Sequence, residues 1–201
     1  MRFRSALIAS VMTLAACATP MKTHYYVLSG GSPISPAELH GAPEYRVSIG
    51  PVTVPEALDR LQIVLSVAPD RYAISDTEVW STPLKREIPR VIAMELGKLL
   101  SSALVAGRLQ QGSQGADFQV LIDVLRFESL AGESITLDAA WSVRNRAGER
   151  LHEAHSIFTE QVKTPEIPAL IAAHASALKA LSGEIAASLN SLTRAGRQVK
   201  R

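Results

Sequence analysis

The sequence predicts an α+β fold, with a largely antiparallel sheet and two helices packed on one face. Three features carry this. Ile135, Leu137, Ala139, Trp141 and Val143 alternate with Thr136, Asp138, Ala140, Ser142 and Arg144, one apolar and one polar face of a strand. Asn145-Arg146-Ala147-Gly148 reads as the hairpin turn into a second strand at 151–162. Two other segments repeat apolar residues at helical spacing, and helices over an antiparallel sheet are a standard layering.

The elements follow in order. His24 to Leu28 reads as a short strand, and Gly30 to Pro43, rich in Gly, Pro and Ser, as a loop. Tyr45 to Val54 is a second strand with Tyr45, Val47 and Ile49 on one face. Its phase slips at Gly50-Pro51, where a bulge or an edge position admits the proline. Strands at 61–67 and 72–75 are split by the turn residues Pro69-Asp70. Thr82 is placed to cap a helix whose first residue is Pro83. Ile88, Ile92, Leu96, Leu99 and Ala103 form its stripe, Pro89 suggests a separate or kinked first turn, and Gly107 suggests its stop. Phe118, Val120, Ile122 and Val124 mark another strand. After Thr164-Pro165, a last helix carries Leu170, Ile171, His174, Leu178, Leu181, Ile185, Leu189 and Leu192 on one stripe.

The N-terminus carries a different message. Arg2 and Arg4 precede an uncharged run of apolar and small residues, 6–16, that stops at Cys17. A membrane-spanning helix needs roughly 20 apolar residues, so this run is a secretory signal rather than a span. Leu14-Ala15-Ala16-Cys17 resembles the lipobox of bacterial lipoproteins: residues 1–16 would be cleaved and Cys17 acylated. Two or more chains hold a protein stably, since each buried methylene contributes about 0.8 kcal/mol. Residues 17–44 would then be a lipidated N-terminus with the first strand and a loop, 45–193 the rest of the domain, and 194–201 a basic tail. Ala18, in place of the aspartate that retains such proteins at the inner membrane, points to the periplasmic face of the outer membrane.

Composition narrows the function. Cys17 is the only cysteine, so the mature chain has no disulfide, thiol nucleophile or cysteine metal site. Without Arg2 and Arg4, the 21 basic residues become 19, equal to the 19 acidic ones. A neutral chain lacks the basic footprint that nucleic acid requires. The end is uneven: Arg194, Arg197, Lys200 and Arg201 follow the last acidic residue, Glu184. His152 and His155, three apart on a strand, point to opposite faces and cannot share a metal without a bulge. His174 lies on an apolar stripe, as a core or interface residue does. No Gly-x-Ser-x-Gly elbow and no phosphate-cradling loop occurs. The expectation is a non-enzyme without metal or cofactor.

Three interior motifs carry a family resemblance. Tyr25-Tyr26-Val27-Leu28 opens the domain. Ile49 to Val64, IGPVTVPEALDRLQIV, contains Pro51, Pro55, Leu58, Asp59 and Arg60. Trp80-Ser81-Thr82-Pro83-Leu84 opens the first helix. In this order and spacing they resemble the auxiliary lipoproteins of ABC-type transport systems, the PqiC-like lipoproteins. Leu61 stands where the family often has proline, and Pro89 departs from the family's helix. The resemblance implies an anchored docking component for a transporter whose periplasmic subunit carries MCE (mammalian cell entry) domains, moving lipids or other hydrophobic molecules between the two membranes. Self-association is compatible with this. A structural or assembly lipoprotein of the envelope, without transport, is the alternative. The motif residues have plainer readings as well: Pro55 to Arg60 as a capped turn between strands, and Trp80 as a core residue.

Overall fold

The computed structural model describes residues 21–28, 43–68, 70–108 and 110–199. Cys17, most of the expected 30–43 loop and Pro69 lie outside them. Among the described residues, eight strands form one sheet, mostly antiparallel with some parallel pairing, and two helices complete the fold. The strands are β1 (His24–Tyr26), β2 (Tyr45–Thr53), β3 (Gln62–Ala68), β4 (Arg71–Trp80), β5 (Ala103–Gly107), β6 (Phe118–Leu130), β7 (Ser134–Asn145) and β8 (Arg150–Gln161). The helices are α1 (Leu84–Leu99) and α2 (Ile167–Val199).

The long β6 organises the sheet. On one side it pairs antiparallel with β7 from Phe118 to Leu130, and β7 pairs antiparallel with β8. On the other side two strands share it. β2 runs parallel to its first half, as far as Thr53 opposite Asp123, and β3 meets its end, Ser66 opposite Leu130. β5 extends the first branch beyond β2; β4 and β1 extend the second beyond β3. The expected slip at Gly50-Pro51 is present. The register to β6 shifts between Ile49 and Val52, and Gly50 has φ +110°, a backbone state that favours glycine.

The core lies between the sheet and both helices. Ile135, Leu137, Ala139, Trp141 and Val143 of β7 are buried, as their alternation predicts, facing Leu170, Leu178, Leu181, Ile185 and Leu189 of α2. On α1, Leu84, Ile88, Val91, Ile92 and Leu96 are buried in the same core. In β6 a register shift between Val124 and Arg126 keeps Phe127 inward after Val120, Ile122 and Val124, and leaves Leu125 exposed.

Four expectations are corrected. Thr82 is not the cap: Pro83 takes that position without a side-chain cap bond, and the first helical residue is Leu84. α1 runs unbroken through Pro89. Buried Leu84 and Ile88 before the proline and Val91 and Ile92 after it hold both halves on one core, which outweighs one missing N–H. The helix stops at Leu99, not near Gly107. Ser101 and Ser102 follow, and 103–107, whose Ala103 fits the helical phase, is the parallel partner of β2. At the C-terminus α2 continues to Val199, so most of the basic segment from 194 is helical, and Arg197 bonds Glu44.

Candidate functional site

The three sequence motifs, far apart along the chain, meet around the start of α1. The Tyr25-Tyr26 pair lies beside Val79-Trp80 in the β1–β4 ladder, and the Tyr26 carbonyl accepts the Ser81 N–H at 2.7 Å. The Trp80 N–H in turn donates to the Leu61 carbonyl at 2.7 Å. Lys85, one residue past the third motif, donates to Asp59 of the second at 2.7 Å. Trp80 and Leu84 are buried, while Tyr25 is 70% exposed and Arg60 is exposed. The Tyr26 hydroxyl is raised above the ordinary phenol value by its hydrogen bond to Glu78, and the Glu78 carboxyl is correspondingly lowered by Tyr26 and His24.

The second motif fills a break in the sheet. Between Asp123, where β2 stops pairing, and Leu130, where β3 begins, this side of β6 is met by the connecting segment instead. Pro55 and Glu56 carbonyls accept the Leu58 and Asp59 N–H groups in a tight turn. Leu58 packs against the core, while Pro55, Ala57 and Leu58 line a cavity of about 70 Å³ with Leu125, Phe127 and Tyr72. Pro55 and Leu58 thus both have neighbours within the fold.

A larger concavity of about 850 Å³ lies between the first half of α1 and the ends of β2 and β5. Pro51 and Val52 of the second motif line it together with Thr82, Pro89 and four cations: Lys85, Arg86, Arg90 and Arg108. Among the described residues its one carboxylate, Glu87, is buried and bonded by Arg90 at 2.8 Å, and Arg90 also donates to the Leu28 carbonyl. Sequence reasoning passed over these cations. The available signal was Lys85-Arg86 in the first turn of a helix, where the helix dipole disfavours positive charge.

Other polar clusters have structural roles. Ser129 lies 2.8 Å from Nε2 of buried His174, whose ring stacks on Phe127. Burial pushes the imidazole down to about 3, too weak a base to take a serine proton at neutral pH. His152 and His155 do point to opposite faces: His152 touches the Trp141 ring, whereas His155 bonds Asp138 at 2.6 Å. That bond, with a second from Arg126, holds Asp138 below the usual carboxylate range. Among the described residues, no group of three or more His, Cys, Asp or Glu is placed to hold a metal ion, and no helix is long and apolar enough to cross a membrane.

A family model described as "ABC-type transport auxiliary lipoprotein component" matches residues 26–186. The chain belongs to this family. Its match covers the first motif from Tyr26 onward, the other two motifs, the 850 Å³ concavity and nearly all of the sheet. Family membership makes the chain a membrane-anchored lipoprotein component of an ABC-type transport system. No curated protein matches the chain. Among solved structures, an uncharacterized protein superposes with a TM-score of 0.69 at 16% identity, covering 84% of this chain and 99% of that one. Protein XCC0632 from Xanthomonas campestris gives 0.66 at 13% identity, covering 85% and 99%. At these identities the likeness shows a shared fold.

Proposed function

We propose that this auxiliary lipoprotein docks the periplasmic MCE-domain subunit of its transporter and holds it at the inner leaflet of the outer membrane, where lipids or other hydrophobic molecules are handed over. The observation that carries the reading is the family match over residues 26–186. Apolar cargo needs a shielded path through water, and a tethered receiver raises the effective concentration of the docking event. Acylation of Cys17, followed by Ala18, supplies the tether. The domain acts by binding rather than catalysis. The Ser129–His174 pair is buried in the core.

The test is affinity capture of the acylated protein from membranes, with identification of what accompanies it. An MCE-domain subunit is the expected companion. If folded, acylated protein recovers none, direct docking is wrong and a structural envelope role takes its place.

A further inference from the structure

The concavity beside α1 has the chemistry of a ligand site, and docking does not account for it. Arg86 and Arg108 are both exposed, both line it, and neither has a side-chain partner among the described residues. Their positions are held from below. The Arg108 N–H donates to the Ile49 carbonyl, and Ser113 Oγ donates to the Arg108 carbonyl at 2.7 Å. Arg86 sits in the first turn of α1, its N–H bonded to the Pro83 carbonyl. Two unpaired guanidinium groups facing one hollow repel each other, and the helix dipole makes Arg86 less favourable still. An anion placed between them relieves both costs, and guanidinium forks match phosphate oxygens in geometry.

The rest of the lining is not that of a site for a small free anion. Pro51, Val52 and Pro89 give it an apolar wall, and about 850 Å³ is within the usual range for sites that take organic ligands. Its place on the chain is also telling. Arg90, on its rim, bonds the Leu28 carbonyl, and Leu28 is eleven residues from Cys17. Eleven extended residues span at most about 40 Å, so an acylated chain keeps this hollow close to a phospholipid surface.

We infer that the groove between α1 and the ends of β2 and β5 binds a phospholipid, its phosphate held by Arg86 and Arg108 and the start of an acyl chain against Pro51, Val52 and Pro89. The inference deepens the transport reading by giving the domain its own contact with cargo, and it rests on that reading for the ligand's biological role.

The experiment uses the full acylated protein in cells grown on ³²P-phosphate, with the photo-crosslinker p-benzoylphenylalanine in place of Thr82, which lines the groove, or of Ile157, which is exposed on β8. After irradiation and denaturing electrophoresis, a ³²P-phospholipid adduct should form at position 82 at least ten-fold more strongly than at 157. Arg86→Glu with Arg108→Glu should abolish it while leaving the melting temperature and capture of the MCE subunit unchanged. Equal labelling at both positions, labelling that survives charge reversal, or a protein adduct at 82 without ³²P overturns the inference. Free phosphate leaves no adduct, so an unlabelled protein counts against a lipid. With both arginines intact, absence of the adduct while the MCE subunit is still captured sinks the groove alone; absence of MCE capture while the adduct forms sinks the docking reading alone.

Discussion

Lys85 Nζ lies 2.7 Å from Asp59 Oδ2, joining the first turn of α1 to the tight turn that closes the break between β2 and β3. Both groups are partly exposed, with the lysine side chain half open to solvent. Water screening keeps such pairs below about 1 kcal/mol. Lys85→Ala and Asp59→Ala should therefore each lower unfolding stability by less than about 1 kcal/mol, and the double variant by less than their sum. Urea titration of the four proteins measures this; a loss above about 2 kcal/mol for either single change would show the pair to be a structural clamp instead.

Cys17→Ser should abolish acylation. The uncharged run from Ala6 to Ala16 and the residues Leu14-Ala15-Ala16 before the cysteine lead to this. Metabolic labelling with a fatty-acid analogue reads it directly. Equal labelling of the variant and the natural chain contradicts the assignment.

His174 should make the fold acid-sensitive. In the unfolded chain its imidazole titrates near pH 6.5, whereas burial holds it near 3 in the fold. Between these values the unfolded chain binds a proton that the native chain does not. Stability from this group is thus complete above about pH 6.5 and declines as pH falls, by up to about 1.4 kcal/mol per pH unit. His174→Gln keeps a hydrogen-bonding group for Ser129 but does not titrate. It should be less stable at pH 7 and show a flatter decline between pH 6.5 and 4. Parallel declines in denaturant midpoint would rule out His174 as the origin.

Ile92 and Ile157 should respond oppositely to truncation. Ile92 is fully buried on α1, and replacement by alanine should cost about 2–5 kcal/mol, the range for deleting a large aliphatic group from a packed core. Ile157 is 54% exposed on β8, and its replacement should stay within about 0.5 kcal/mol. Thermal melts compare the two. Similar losses would mean that the outer face around Ile157 is covered.

Much of this fold was legible because it is local. The β7 alternation, the Asn145–Gly148 turn with Gly148 at φ +85°, and the α2 stripe each repeat with a period that a short window contains. β5 was not legible: five residues are too few to show alternation, and Ala103 also fits the helix before it. Pro89 misled for the opposite reason. A local rule against proline in a helix yielded to packing on either side of it, which a window around the proline does not contain.

The candidate site divides in the same way. The amino-acid sequence by itself determined the lipidation motif, the single cysteine, the charge balance and three ordered motifs, since each is a property of neighbours along the chain. Only the tertiary structure decided that those motifs meet at one helix start, that Pro55 and Leu58 close a break in the sheet, and that Arg86 and Arg108 face one hollow. Arg86 and Arg108 are 22 residues apart, on a helix and on the turn after a parallel strand. Their proximity depends on β5 pairing with β2 beneath α1, a long-range contact with no periodic signature along the chain.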